Sequence, residues 1–320
     1  MSLGNMETLK TDAEMLAELE IIKQQREAEK EPYVETNLRE KFLEPPFTVL
    51  DTKTKSWRDR VNKWKALGIK SELGRVAEGS YGWQDLSNNP RSAESTHKIA
   101  RVGDTASIFD PALCELMYAW FCPKGGVILD PFAGGSVRGI VAHKLGYKYI
   151  GIELRQEQVD SNIAQAKEIL PADNQPTWIC GDSDAVLDDL IAKNEWIDMV
   201  FSCPPYFNLE VYSDNENDLS NMSYGDFLEK YQSIIKKSWK LLDTGGYGIF
   251  TVGEVRDDGG YYRDFVGDTK RAFMDVGGRY YNDMVLLNSV GSSSMRTKQF
   301  EISKKVVKIH QNVLCFLKPI

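Results

Sequence analysis

The sequence predicts a doubly wound α/β fold with a mostly parallel sheet, and three observations carry this prediction. A short apolar run at residues 127–129 is typical of a buried parallel strand and ends at Asp130. A glycine turn, a helical pattern and a second strand ending in Glu153 follow. A later strand that begins at Ile197 leads into a rigid loop. The last strands, at residues 284–287 and 313–317, are predicted to pair antiparallel.

The glycine turn, Ala-Gly-Gly-Ser at 133–136, has the small residues that let backbone approach a ligand closely. Ser136 is the predicted N-cap of the next helix. Glu153 follows Asp130 at about the 20-residue spacing of acids that bind ribose hydroxyls. The turn lacks the Gly-Lys-Ser/Thr ending of a P-loop. The pattern favours a nucleotide-type site, with an ordinary structural turn as the alternative.

The second motif is Cys-Pro-Pro-Tyr at 203–206. Two consecutive prolines before an aromatic residue stiffen a loop at the carboxyl end of a strand, where open α/β sheets bind ligands. The alternative is a rigid loop with a core tyrosine.

Together, Asp-Pro-Phe-Ala-Gly at 130–134 and the Cys-Pro-Pro-Tyr loop resemble a family of DNA amino-methyltransferases. Its members use S-adenosylmethionine to methylate exocyclic nitrogens of adenine or cytosine. The resemblance covers most of the chain after about residue 44 and extends to phage and prophage DNA modification methylases. It implies a Rossmann-like, seven-stranded sheet with an N-terminal helical accessory segment, and a role in DNA modification.

The resemblance also implies site residues. The implied cofactor-binding residues are Phe109, Pro111, Asp130, Phe132, Gly134, Gly135, Ser136, Glu153 and Asp182. The implied catalytic residues are Cys203, Pro204, Pro205 and Tyr206. In the family, the first side chain of this loop and the next carbonyl accept hydrogen bonds from the target amino group. The aromatic residue stacks on a base that is flipped out of the DNA. For Asp182, a helix cap is an equal alternative.

Two positions depart from the family pattern. Cys203 stands where the family has Asp, Asn or Ser, and a thiol is a weak acceptor. Ser202 is an alternative acceptor, and the choice between N6 of adenine and N4 of cytosine stays open. Ser136 stands where the family usually has a second glycine. Cytosine-C5 methylation is disfavoured, because no cysteine follows a proline in the order that this chemistry needs.

The 320 residues are predicted to form three regions. Residues 1–44 are an acidic, charged helical segment with eleven acids against six bases, which contributes much of the net charge of −8. Residues 45–106 are a basic and aromatic accessory segment with a linker, and residues 107–320 are the methyltransferase domain.

DNA must be held outside the catalytic core, since only about 20 residues separate Asp182 from the catalytic loop. Residues 53–75 are strongly basic and contain Trp57 and Trp64. A nucleic-acid contact and an amphipathic helix with two buried tryptophans are equal alternatives there. A second basic stretch covers residues 291–308. The predicted DNA-binding residues are Arg58, Lys65, Arg296 and Lys298.

The composition limits the remaining classes. No run of about 18 apolar residues exists, so no membrane span is expected. Five scattered cysteines and three dispersed histidines predict a reducing, cytoplasmic setting without a metal site. Other hypotheses are a methyltransferase acting on RNA or on a protein amide, and a nucleic-acid-binding protein that has lost catalysis. The oligomeric state is not predicted.

Overall fold

The computed structural model describes residues 37–69, 109–207, 215–288 and 297–320. The chain divides into two compact units, Met1–Pro45 and Pro46–Ile320. In the first unit, the described residues form the short helix α1 (Leu38–Phe42), which Asn37 caps. Arg39 and Glu44 form an ion pair there at 3.1 Å. Most of the predicted acidic helical segment lies outside the described residues.

The second unit contains an eight-stranded sheet. Its strands are β1 (Val49–Asp51), β2 (Val127–Asp130), β3 (Lys148–Glu153), β4 (Thr177–Cys180), β5 (Ile197–Ser202), β6 (Leu242–Val252), β7 (Arg279–Leu287) and β8 (His310–Leu317). Their order is β1-β7-β8-β6-β5-β2-β3-β4, and β8 alone in this sheet runs antiparallel to its neighbours. The predicted mostly parallel α/β fold and the antiparallel pair are therefore confirmed. The expected seven strands become eight because β1 adds to β7 at the edge.

Helices cover both faces of the sheet. They are α2 (Lys55–Lys65), α3 (Pro111–Phe121), α4 (Val137–Lys144), α5 (Gln156–Ile169), α6 (Ser183–Ala192), α7 (Tyr224–Leu241), α8 (Phe265–Asp275) and α9 (Lys298–Ser303). Four helices, α2, α3, α6 and α7, begin with a side chain that accepts a backbone N–H, as the sequence chemistry favours. Ser136 does not: it precedes α4, but its side chain makes no capping bond.

An aromatic core lies where α7 and α8 pack on β6 and β8. Phe273 stacks on Phe316 with ring centroids 4.3 Å apart, and Phe250 meets Phe273 edge-on at 4.9 Å. Such rings bury large apolar areas and add directional contacts of about 0.5–1.5 kcal/mol per pair.

The helix α2 packs on α3 through its two tryptophans. Trp57 is 2% exposed and Trp64 is 9% exposed. Their indole N–H groups donate to Asp110 and to Glu115, each at 2.8 Å. The sequence left two alternatives for this basic segment, a nucleic-acid contact or a helix with buried tryptophans. The structure shows that both tryptophan rings are buried. Arg58 and Lys65 lie on the exposed side. No described helix has the length and apolar character that crossing a membrane requires.

Candidate active site

A cavity of about 480 Å³ runs along the carboxyl edge of the sheet. Most of its lining residues stand at, or just after, the carboxyl ends of parallel strands, namely β1, β2, β3, β4, β5 and β7. The first residues of β8 complete the lining. Because β8 is antiparallel, its first residues lie at the same edge as the last residues of its neighbours. The cavity therefore crosses most of the sheet.

The cavity has two halves, with the Cys203–Tyr206 loop between them. The glycine-turn half is formed by Phe109, Phe132, Gly134, Glu153 and Asp182. The amide half is formed by Thr52, Asn288 and Gln311. The sheet order places the first set on the β2–β4 side of β5 and the second on the β1–β8 side. The loop after β5 thus faces both halves.

Buried polar side chains of α5 hold the glycine turn from below. Asn162 donates to the carbonyl of Gly134 at 2.7 Å, and Gln158 donates to Asn162 at 2.9 Å. Gln165 accepts the hydroxyl of Ser136 at 3.1 Å. Gly134 has a φ of +49°, which favours glycine. The turn is therefore held by hydrogen bonds from α5 on one side, and its other side faces the cavity.

Two acids line the glycine-turn half. A carboxylate oxygen of Glu153 accepts the backbone N–H of Arg155 at 3.0 Å, and the buried guanidinium of Arg155 lies 3.4 Å away. Asp182 caps α6 by accepting the N–H of Asp184 and forms an ion pair with Lys230 at 2.8 Å. Asp182 is therefore a helix cap, and because it also lines the cavity, its contact with a cofactor stays a prediction.

Asp130 is a correction to the expected site, because it is fully buried and does not line the cavity. Its carboxylate accepts the hydroxyls of Ser202 at 2.5 Å and Tyr149 at 2.8 Å, and it pairs with Arg138. These partners replace the expected direct contact with a supporting role. Ser202, the alternative acceptor, is buried, donates its hydroxyl to Asp130 and does not line the cavity.

Three more expected cofactor contacts lie outside the cavity lining. Pro111 is buried as the first residue of α3, while its neighbours Phe109 and Asp110 line the cavity. Gly135 and Ser136 also do not line it. Ser136 turns inward because Gln165 binds its hydroxyl, so this residue supports the turn from within.

Arg138 links the turn to the cavity wall. It donates to the carbonyls of Phe132 and Ala133 at 2.7 and 2.8 Å. Its guanidinium carbon lies 4.5 Å from the ring centroid of Phe109. The nearby Asp130 carboxylate raises the pKa of Arg138, although burial alone would lower it. Sequence analysis missed this residue, since an arginine in a helix is ordinarily expected at the surface.

The four loop residues 203–206 all line the cavity. The hydroxyl of Tyr206 accepts the amide of Gln311 at 2.8 Å and donates to the Thr251 carbonyl at 3.4 Å. The Cys203 sulfur lies 3.6 Å from the same hydroxyl. A Cβ on Gly253 would lie 3.3 Å from the Tyr206 ring, so glycine leaves room for this ring. The tyrosine is thereby held at one place between the halves.

Other wall residues were missed because they come from distant parts of the chain. Asp110 accepts the Trp57 indole N–H, and burial raises the pKa of its carboxyl despite that bond. Thr52 directly follows β1, Asn288 directly follows β7, and Gln311 is the second residue of β8. Their only sequence signal is that each stands at a strand end. None of Arg58, Lys65 and Lys298 lines the cavity, and Arg296 lies outside the described residues.

Residues 11–166 match the model of a family described as DNA methylase. The match includes the glycine turn and Glu153 but not the Cys203–Tyr206 loop. This match confirms the predicted resemblance over the part of the chain that holds the first motif.

Solved structures show more distant similarity. TrmN from Thermus thermophilus has 14% identity and a TM-score of 0.44, over 66% of this chain and 49% of that one. Magnesium protoporphyrin IX methyltransferase from Synechocystis PCC 6803, solved with bound SAM, has 14% identity and a TM-score of 0.38, over 61% and 71%. A proposed DNA modification methylase, also from Thermus thermophilus, has 19% identity and a TM-score of 0.32, over 44% and 51%. The chain thus spans about half of TrmN, and the sheet order, rather than these similarities, establishes the fold.

Proposed function

We propose that this chain, whose residues 11–166 match the DNA methylase family, methylates an exocyclic amino nitrogen in DNA. The target is N6 of adenine or N4 of cytosine, and S-adenosylmethionine is the cofactor. The observation that carries the proposal is one continuous cavity with the Cys-Pro-Pro-Tyr loop between its two halves. A methyl donor and a planar base can meet only where both reach the same loop.

The glycine-turn half suits a nucleoside cofactor. The whole cavity, of which it is a part, has a volume of about 480 Å³, which fits small-molecule sites that are mostly apolar with a few placed polar groups. Glu153 offers a carboxylate to ribose hydroxyls, while Phe132 and Phe109 offer apolar faces and the Gly134 backbone permits close approach. When bound, S-adenosylmethionine supplies an electrophilic methyl group on a sulfonium.

The amide half and the loop suit a flipped base. An exocyclic amino group is a poor nucleophile, because its lone pair is delocalised into the ring. The Pro204 carbonyl can accept one of its N–H groups, and the Tyr206 ring can stack on the base. Cys203 contributes a weak acceptor at the remaining position. These groups orient the nitrogen toward the glycine-turn half and help to make its lone pair available.

The test is transfer of tritiated methyl groups to duplex DNA, to RNA and to protein, each with purified wild-type enzyme. We expect label in DNA, and digestion to nucleosides should place it on N6-methyladenosine or N4-methylcytidine of the deoxy series. Label in RNA or protein alone would overturn the proposal in favour of the corresponding alternative. Cofactor binding without any transfer would favour a nucleic-acid-binding protein that has lost catalysis.

A further inference from the structure

Two segments outside the described site flank the loop that carries Tyr206. One is the hairpin 255–263, which follows β6, and the other is residues 298–308, which precede β8. The end of β6 and the start of β8 lie at the same edge, because the two strands pair antiparallel. Gly253, just after β6, lies close enough to the Tyr206 ring that an added Cβ would be 3.3 Å from it, and Gln311 donates to the Tyr206 hydroxyl. Both segments, here called the rim surface, therefore stand beside the cavity.

Backbone hydrogen bonds and contacts at its base hold the hairpin in a defined conformation. Asp257 N–H donates to the Tyr261 carbonyl at 2.9 Å, and Gly260 N–H donates to the Asp257 carbonyl at 2.8 Å. Gly260 has a φ of +83°, which glycine adopts without strain. At its base, the Arg263 guanidinium lies 4.7 Å from the Tyr224 ring centroid and 5.3 Å from that of Phe207. The hairpin is thus anchored to the residue that directly follows Tyr206.

This anchored hairpin displays its aromatic rings instead of burying them. Tyr261 is 75% exposed and Tyr262 is 47% exposed. The Arg256 guanidinium lies 3.8 Å from the Tyr262 ring centroid and donates to the Gly260 carbonyl at 2.6 Å. Exposed aromatic rings beside a stacked arginine form the kind of surface on which nucleic-acid bases stack.

The second segment adds apolar and basic groups. Phe300, Ile302 and Val306 are 48%, 87% and 68% exposed. The side chain of Lys305 packs against Gly260 of the hairpin, which joins the two segments into one surface. Exposed apolar groups gathered in one region mark interaction sites.

The charge of the rim surface identifies the partner. Its bases are Arg256, Arg263, Lys298, Lys304, Lys305 and Lys308, and its acids are Asp257, Asp258 and Glu301. This local excess of bases contrasts with the net charge of −8 of the whole chain. A twofold interface with a second copy would bring the same basic groups together, which disfavours it. DNA offers phosphates for the lysines and base or sugar faces for the tyrosines.

We propose that the rim surface binds the DNA that flanks the target base, with Tyr261 and Tyr262 stacking on it and Lys304 and Lys305 contacting phosphates. The proposal rests on the proposed function. It adds DNA contacts beyond the basic residues that the sequence singled out, because neither tyrosine belongs to a basic stretch.

The experiment measures binding of a labelled mixed-sequence duplex, with S-adenosylhomocysteine present, and steady-state methylation of the same DNA. Tyr261→Ala/Tyr262→Ala should weaken binding at least about fivefold for each ring that stacks. It should raise KM for DNA without lowering kcat. Lys304→Ala/Lys305→Ala should reduce the salt dependence of log affinity by about 0.9 for each phosphate that the variant no longer neutralises.

The matched controls lie at the opposite edge of the sheet. Tyr281 is 56% exposed near the start of β7, and Lys124 and Lys148 precede or begin strands β2 and β3. Tyr281→Ala and Lys124→Ala/Lys148→Ala should leave affinity and salt slope unchanged. Thermal melting of all variants shows whether each one is folded.

The outcomes separate this inference from the proposed function. If wild-type enzyme methylates DNA while the rim variants behave as their controls do, the inference is overturned and the proposed function stands. If the tyrosine variant instead dissociates an oligomer seen by sedimentation and leaves DNA affinity intact, the rim is a subunit interface and the inference is overturned. If wild-type enzyme methylates only RNA or protein, both proposals are overturned.

Discussion

Asp130 joins the two sequence motifs at the scale of single residues. It ends β2 ahead of the glycine turn, and it accepts the hydroxyl of Ser202, which ends β5 just before Cys203. The buried pair with Arg138 extends this network to the carbonyls beneath the turn. The position of the turn and the position of the loop are therefore coupled through one buried carboxylate. Any displacement of Asp130 should disturb both the glycine turn and the Cys203–Tyr206 loop.

Glu153→Ala should weaken binding of S-adenosylhomocysteine by about 1.5–3 kcal/mol, because charge-assisted bonds to the ribose hydroxyls are removed. Calorimetry measures this change. The control is Glu157→Ala, since Glu157 also lies near Arg155, at 3.7 Å, but its side chain is 66% exposed and does not line the cavity. Equal affinity of wild type and Glu153→Ala would remove Glu153 from the cofactor site.

Cys203→Ser should keep or increase turnover, because a hydroxyl accepts a hydrogen bond better than a thiol and serine occurs at this position in the family. The measurement is kcat for methyl transfer to DNA, with cofactor affinity checked alongside. Cys180→Ser, at an exposed cysteine outside the cavity lining, is the control. Complete loss of activity in a folded, cofactor-binding Cys203→Ser enzyme would assign the thiol a separate role.

Tyr206→Ala should cost about 1–3 kcal/mol of base stacking and slow methyl transfer, while most of the cofactor affinity remains. Tyr206→Phe keeps the ring and loses the hydroxyl, with its bonds to Gln311 and Thr251 and its contact with the Cys203 sulfur. It should therefore retain far more activity than the alanine variant. Single-turnover rates compare the two, and equal losses in both would mean that the hydroxyl, not the ring, is the important group.

At the scale of elements, the contact of α2 with α3 holds one wall of the cavity in position. Trp57 of α2 holds the Asp110 carboxylate, which also caps α3 through the N–H groups of Ala112 and Leu113. Phe109, the preceding residue, packs edge-on against Phe201 of β5 with ring centroids 5.9 Å apart. The helix α2 thus helps to place Phe109 and Asp110, which line the cavity.

Trp57→Phe should destabilise the fold by about 1.5–3 kcal/mol, since it keeps most of the buried ring but removes a hydrogen bond to a carboxylate. Urea unfolding gives the change in the free energy of unfolding. Trp196→Phe is the control, because Trp196 is 70% exposed. A Trp57→Phe protein as stable as this control would show that the indole bond contributes little.

The sequence predicts a feature well when the residues that form it are close together in the chain, and poorly when they come from distant strands. The glycine turn and the Cys203–Tyr206 loop are local patterns, and both were predicted in place. The amide half was not, because Thr52, Asn288 and Gln311 meet only when β1, β7 and β8 assemble at one side of the sheet. The inward turn of Asp130 was missed for a similar reason: its partners Tyr149 and Ser202 come from β3 and β5. Strand order, and not residue type, decides these positions.

For the whole molecule, the antiparallel strand β8 has a functional consequence. It brings Gln311 to the carboxyl edge, where a parallel strand would have placed its last residues instead. With β1 added beyond β7, the sheet extends past the Cys203–Tyr206 loop and gives the cavity its amide half. The helix α2 begins at Lys55, shortly after Thr52, and packs on α3 beside Asp110 of the cavity wall. This basic helix is a second surface, besides the rim surface, at which we test for DNA contacts.

The last prediction concerns this helix. Arg58 and Lys65 are exposed on α2 while its tryptophans are buried, so removing the two charges should leave the packing intact. If each contacts a phosphate, Arg58→Ala/Lys65→Ala should lower DNA affinity on any sequence and reduce the salt slope by about 1.8. Salt titrations of duplex binding measure the slope, with Lys124→Ala/Lys148→Ala as the control at the opposite edge. A parent-like slope for the α2 variant, together with a reduced slope for Lys304→Ala/Lys305→Ala, would place the DNA on the rim side alone.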